Sequence, residues 1–412
     1  MKILIYGLNY HPELIGIGKY TGEMAEWLAR KGHQVRVVTA LPYYPEWKIS
    51  RRYFPFGYRK EVLNGVEIFR CPLWMPGKLN GLTRTLHAFS FVLSSFWMII
   101  QQFLWRPQVV LNIIPTFFST FVALIGARLF KAKTWLHIQD FEFDVALNLG
   151  ILRLKKLRKI AEYVERSVLK KFDRVSTIST SMLKNIHRKG IDESATFLFP
   201  NWIDTNKIYP LNGCNPIRRE LGLNPDTFVA LYSGNMGEKQ GLDVLVDVAR
   251  KVEQNQKIKF VFCGEGPAKS KLITLSSGLT NVVFLPLQPN EKLNRLLNLG
   301  DVHLLPQKPE VAGLVLPSKL TGILASGKPV ILITHPDTEI DCVVKGRGII
   351  AKPDDIDGIA NKVFWLSSHP EIRKRLGKAG RAFAVRILNQ NKILTQFENQ
   401  LQHLIIKNGL QG

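Results

Sequence analysis

The feature that most constrains this chain is an alternation, repeated twice, of short apolar β-branched runs with stretches of helical spacing. Residues 2–6 (KILIY) read as a buried strand and a Gly-rich loop follows. Residues 20–31 then place Met24, Trp27 and Leu28 at helical spacing, and 34–39 (QVRVVT) form the next strand. Uniformly apolar strands separated by helices predict a parallel sheet covered on both faces. Further strands are expected at 66–70, 109–113, 134–138 and 174–178. Between 200 and 226 the pattern lapses into a Pro/Asn-rich passage. It restarts at 228–234, 257–264, 281–286, 302–306 and 329–334, each run followed by a helical stretch. The expected class is α/β with two doubly wound, Rossmann-like domains. The N-terminal domain is 1–200, the linker 201–226 and the C-terminal domain 227–385, with a C-terminal helix in 386–412 that packs back on the first domain. In such sheets ligands bind beyond the carboxyl ends of the strands, so two sets of ends facing each other across a cleft are expected.

Charge comes next, because 56 Lys+Arg against 33 Asp+Glu leave a net of +23. The excess is larger in residues 1–200 (29 basic, 14 acidic) than in 201–412 (27 and 19). It peaks over 153–174, a stretch that reads either as a solvated helix face or as a basic surface for phosphate. Cys71, Cys214, Cys263 and Cys342 are far apart and lack metal-ligand or paired spacing, which predicts free thiols in a reducing compartment. The N-terminus, with one Lys and a short apolar run interrupted by Gly7, does not read as a signal peptide.

Between Arg84 and Arg106 lie 21 residues without Asp, Glu, Lys or Arg, and 107–127 are also uncharged. A helix of about 20 apolar residues is long enough to span a bilayer. However, His87, Ser90, Ser94, Ser95, Gln101 and Gln102 interrupt the first run, and Pro107 and Pro115 divide the second. A helix buried in the core, or one lying at a membrane interface, fits better than a span. Its basic flanks suit an anionic membrane surface.

Candidate chemistry clusters at strand ends. The loop after the first strand carries Gly16 and Gly18 at a helix start, which serve either a tight turn or a phosphate. The strand ending His137-Ile138-Gln139-Asp140 puts polar groups at a carboxyl end, where His137 reads equally as a buried structural residue or a substrate contact. In the second half, SGNMGEKQG (233–241) joins a strand to a helix with Asn235, Gly237, Lys239 and Gln240 in the turn. Gly264 and Gly266 form a second turn, and Pro317, Ser318 and Lys319 start a further helix. Backbone donors plus lysines at successive strand ends favour a nucleotide diphosphate.

Together, the Gly16/Gly18 loop, Asn201-Trp202-Ile203-Asp204, SGNMGEKQG, GEGP and the PSKL…ASGKPV run resemble retaining glycosyltransferases of the two-Rossmann GT-B fold, family 4. The resemblance covers essentially the whole chain. GLNYHPELIGIGKYTGEMAEWLA, HIQDFEFD and GNMGEKQGL are most similar to the colanic-acid biosynthesis branch. The resemblance implies transfer of a sugar from a nucleotide diphospho-sugar with retained anomeric configuration and with neither metal nor other cofactor. It implies the nucleotide on the second domain and the acceptor on the first. Gly16 and Gly18 would offer N–H groups to the diphosphate, Lys239 and Lys319 its counter-charge, and 264–267 a wall of the base pocket. His137 and Asp140 would line the sugar and acceptor side; with Lys239 they form the catalytic set, and Asn235, Gly237, Gln240, Gly264, Gly266, Pro317, Ser318 and Lys319 join the glycines in donor binding. The branch further implies fucose from GDP-fucose, a polyprenyl-diphosphate-linked saccharide acceptor, and a cytoplasmic place on the inner face of the cell membrane. The chain departs from the common pattern in four places: Asn235 where Arg is usual, Gln240 where Lys is usual, Gln139 where His is usual, and Gly322 in place of the second paired Glu, with Glu310 too far upstream for the first.

Two rivals remain from composition and fold. A nucleotide-sugar epimerase shares the architecture, and a basic nucleic-acid-binding protein would explain the charge, although no recognition module supports it and nucleic acid is not an expected partner. The only Asp-x-Asp, Asp355-Ile356-Asp357, reads as a helix cap and not as a metal site.

Overall fold

The computed structural model describes residues 1–13, 16–44, 47–78, 80–141, 155–213, 215–237, 240–307, 318–335 and 338–406, with 155–158 described by backbone alone. Contacts divide the chain into two units, Met1–Pro200 with Leu394–Gly412, and Asn201–Ile393.

In the first unit the apolar runs become β1 (Lys2–Gly7), β2 (Gln34–Ala40), β3 (Arg59–Leu63), β4 (Val66–Cys71), β5 (Val109–Ile114), β6 (Lys133–Ile138), β7 (Arg174–Thr177) and β8 (Thr196–Leu198). They form one sheet in the order β3-β4-β2-β1-β5-β6-β7-β8. All neighbours are parallel except β3 and β4, an antiparallel hairpin turned by Asn64 and Gly65, both at positive φ. Ile3, Leu4 and Ile5 of β1 are fully buried, each stabilising the unit by about 1.5–3 kcal/mol relative to exposure. Three helices matter below. Helix α1 (Gly16–Arg30) buries Met24, Trp27 and Leu28; α2 (Gly81–Gln101) starts at a capping box of Asn80 and Thr83; α3 (Ser119–Phe130) lies beside it.

The uncharged stretch is therefore a helix with two different faces. One face of α2 buries Phe91, Val92, Met98 and Ile99 in the core with Tyr6, whose hydroxyl meets Ser95 Oγ at 2.7 Å. Crossing a membrane would require pulling that face out of the unit. The other face is exposed.

The second unit holds β9 (Phe228–Ser233), β10 (Ile258–Cys263), β11 (Val282–Leu285), β12 (Val302–Pro306), β13 (Val330–Ile333) and β14 (Gly348–Ala351), in the order β11-β10-β9-β12-β13-β14 and wholly parallel. In both sheets the order reverses beside the first strand, between β1 and β5 and between β9 and β12. These are the points at which doubly wound sheets leave a crevice.

The passage 201–226 is not a free linker but part of the second unit. Ile203 and Ile208 enter its core, Ile203 bridges to Asn389, and the Arg381 guanidinium donates to the carbonyls of Thr205 and Ile208. A short helix, Pro216–Glu220, is capped by Asn215 and adds Ile217 to a core cluster. Its prolines and asparagines cap and turn packed backbone. The final helix, Gln390–Ile406, belongs to the first unit from Leu394 onward, where Phe397 stacks on Phe199 at 4.3 Å and meets the edge of Trp135. Cys71 and Cys263 are buried free thiols, Cys342 an exposed one, and Cys214 lies outside the described residues.

Candidate active site

The turn after β9 and the turn after β10 are built on each other. Gly234 N donates to Cys263 O, Met236 N to Glu265 O and Ala268 N to Met236 O. A Cβ on Gly264 would lie 2.0 Å from Gly234 O, and one on Gly266 would lie 2.4 Å from Met236 O. Both glycines stand at positive φ. Their immediate cause is therefore the closeness of two backbones, not the approach of a ligand. Gln240 is also locally occupied: its Oε1 accepts from Gly237 N at 3.1 Å and closes the turn.

Lys319 reaches this place from the helix Ser318–Ala325. Its stem lies so close to Gly234 that a Cβ there would come within 2.6 Å of Lys319 Cε. The ammonium sits 4.2 Å over the Tyr232 ring and donates to Tyr232 Oη at 2.6 Å, while that hydroxyl donates to Asn235 O at 2.5 Å. No carboxylate pairs with Lys319 among the described residues. Burial lowers its pKa to about 8. A half-buried ammonium beside the β9/β12 reversal, with no counter-ion among the described residues, is arranged to receive an anion. Asn235 and Ser318 are exposed beside it. Lys239, Pro317 and Glu310 lie outside the described residues.

In the first unit the loop after β1 is organised by Glu13. Its side chain is buried, accepts from Asn9 Nδ2 at 2.9 Å and from Tyr44 N at 3.2 Å, and approaches Tyr43 N at 3.5 Å. Burial pushes its pKa up to about 7 in spite of these donors. A Cβ on Gly18 would lie 2.7 Å from Glu13 Oε2, so Gly18 makes room for this carboxylate. Gly16 differs: it opens α1 at φ +64 with nothing within 4 Å of a Cβ, leaving its surroundings open. Asp140, two residues past the end of the β6 ladder, is half-buried. Burial raises the pKa of Tyr44, and the charges of Glu13 and Asp140 raise it further, which puts Asp140, Glu13 and Tyr44 in one electrostatic neighbourhood.

His137 does not reach that surface. It is 3% exposed, its Nδ1 lies 2.9 Å from Ser176 Oγ, and its ring rests 4.9 Å from Phe199. Burial drops its pKa to about 3, so it stays neutral as a core residue between β7 and Phe199. Alternation along β6 turned it inward, and the apolar neighbours of the final helix enclose that side. Glu13, in contrast, was visible in the sequence as an acid inside an otherwise uncharged strand-to-helix loop, a signal that the glycines overshadowed. Asp355 is the N-cap of the helix Ile356–Ser368, accepting from Gly358 N at 2.8 Å, which accounts for the Asp-x-Asp.

Comparison with known proteins follows the same division. Residues 16–202 match the glycosyl transferase 4-like domain, and 215–383 match glycosyl transferases group 1. The putative colanic acid biosynthesis glycosyl transferase WcaI of Escherichia coli is 38% identical, over 98% of this chain and 100% of that protein. Among solved structures, sucrose-phosphate synthase from Thermosynechococcus elongatus is similar with a TM-score of 0.76 at 17% identity, covering 98% of this chain and 99% of the other. HepE of Anabaena, solved with UDP-glucose, is similar with a TM-score of 0.68 at 14% identity, covering 98% and 100%.

Proposed function

We propose that this chain, which belongs to the family 4 glycosyltransferases of the GT-B fold, moves a sugar from a nucleotide diphospho-sugar to a lipid-linked saccharide with retained anomeric configuration and without a metal. The observation that carries the donor reading is Lys319, a half-buried ammonium at the β9/β12 reversal that pairs with no carboxylate among the described residues. Bond breaking between the anomeric carbon and the diphosphate leaves negative charge on the phosphate oxygens and an oxocarbenium-like sugar. A fixed ammonium lowers that barrier because the charge it meets develops in the transition state. Lys239 adds a second cation in the same turn by sequence, and Asn235 and Ser318 offer neutral contacts. On the first unit, the open start of α1 at Gly16 provides N–H groups for a phosphate, and Asp140 stands at the strand ends for the acceptor side. The acceptor hydroxyl then needs to be held near the anomeric carbon, and no covalent enzyme intermediate is required.

Fucose from GDP-fucose is the donor we assign, on the motif resemblance alone; exopolysaccharide of the colanic-acid kind is the product, supported by the WcaI relative. A polyprenyl-diphosphate acceptor and a place on the inner face of the cytoplasmic membrane are supported by the basic first half and the uncharged stretch beside it. The test is to incubate the protein with GDP-fucose, and separately with other GDP- and UDP-sugars, together with a polyprenyl-diphosphate saccharide. Consumption of one donor with glycosylation of the acceptor supports the assignment. Release of free sugar without acceptor would point to an epimerase, and an untouched donor in every pairing would overturn the reading.

A further inference from the structure

The outward face of α2 is a feature that the donor chemistry leaves unexplained. Leu86, Phe89, Leu93 and Trp97 recur there at three- and four-residue spacing, and the stripe runs on to Leu104, which is 90% exposed. Helix α3 lays a second stripe alongside, formed by Phe121, Ile125 and Leu129. The rings of Phe89 and Phe118 meet edge to face at 6.0 Å and join the two stripes. A third piece comes from the loop before β3. Tyr58 donates to the Ser94 carbonyl of α2 at 2.8 Å, and this anchor holds Phe54 and Phe56, both more than 70% exposed, next to Arg51 and Arg52. Exposed apolar surfaces of this extent mark interaction sites.

We propose that this composite face docks on an anionic lipid leaflet, α2 and α3 lying in the plane of the interface with their outward stripes in the acyl region. The inference deepens the membrane location proposed above and rests on it. Charge decides the occupant. No Asp, Glu, Lys or Arg interrupts residues 85–105, whereas Arg84 and Arg106 bound the α2 stripe and Arg128 and Lys131 end α3. Residues 1–200 carry 29 basic against 14 acidic side chains, so a second copy brought to this face would add like charge to like charge. An anionic leaflet meets the rim with opposite charge and the stripe with hydrocarbon. The inward half of α2 stays packed in the core, so docking needs no refolding.

Flotation of the full chain with vesicles of phosphatidylethanolamine and phosphatidylglycerol, and separately of phosphatidylcholine alone, tests this. The wild type should float with the anionic vesicles. Both Leu93→Glu/Trp97→Glu and, on the neighbouring helix, Ile125→Glu should lower partitioning by roughly tenfold or more, with unchanged circular dichroism and nucleotide-sugar affinity. If the wild type floats and both variants float equally, this face is not the anchor while the membrane location stands. If the wild type stays in solution, both fall. A wild-type dimer that the variants convert to monomer, with vesicle binding unaltered, would assign the face to a second copy and overturn the proposal.

Discussion

Replacing Lys319 by Met keeps the long stem over the Tyr232 ring and removes the charge. Burial moves the ammonium from its ordinary 10.5 to about 8, which corresponds to roughly 3 kcal/mol against the charged form. The lost hydrogen bond to Tyr232 returns about 1 kcal/mol of that. Lys319→Met should therefore make the unliganded protein more stable by roughly 1–2 kcal/mol in denaturant melts at neutral pH. A diphosphate that restores the ammonium to its ordinary proton affinity would recover the same roughly 3 kcal/mol, so the variant should bind a nucleotide sugar about a hundredfold more weakly. The sign of the pH dependence provides a second check. Between about 8 and 10.5 the unfolded lysine holds a proton that the folded one has released, so the stability of the parent rises with pH across that window and the advantage of the variant shrinks. Isothermal titration and urea melts over pH measure both. A variant that is less stable than its parent and binds donor equally well would show that Lys319 is structural.

The carboxyl group of Glu13 holds its proton up to about 7 when folded and to 4.5 when unfolded, so it lowers stability as pH rises through that window; Glu13→Gln should flatten this fall in thermal melts, and an unchanged slope would contradict its burial. Gly16→Ala meets only left-handed strain and should cost about 1–2 kcal/mol, whereas Gly264→Ala drives a Cβ into Gly234 O and should cost more than about 3 kcal/mol, both read from denaturant midpoints. His137 should show no imidazole titration by NMR between about pH 5 and 8, because its buried pKa lies near 3.

Parallel strands were legible because strands covered on both faces leave continuous apolar runs, as in β1, β5, β9 and β13. The β3–β4 hairpin was missed although Asn64-Gly65 is a strong turn signal, since β3 (RKEVL) is a polar edge strand without an apolar run. The strand β14 (GIIA) was lost to its brevity. At the site, sequence placed Lys319 and the turn glycines at the strand ends. It could not show that Gly264 and Gly266 answer to a second backbone and Gly18 to a carboxylate, since a glycine looks the same whatever fills the space it leaves. The prolines and asparagines of 201–226 read as a linker because caps and free turns use the same residues. For 85–105, composition revealed missing charge, but only packing shows which half faces the core.

Transfer from a nucleotide diphospho-sugar with retention, as proposed, depends on the ammonium of Lys319. NMR of the first-formed glycoside, made from an α- or β-linked donor of defined configuration by the parent and by Lys319→Met, tests both parts together. The expected product has the anomeric configuration of the donor, with turnover lowered about a hundredfold in the variant. An inverted product, or undiminished turnover without the ammonium, would contradict the proposal.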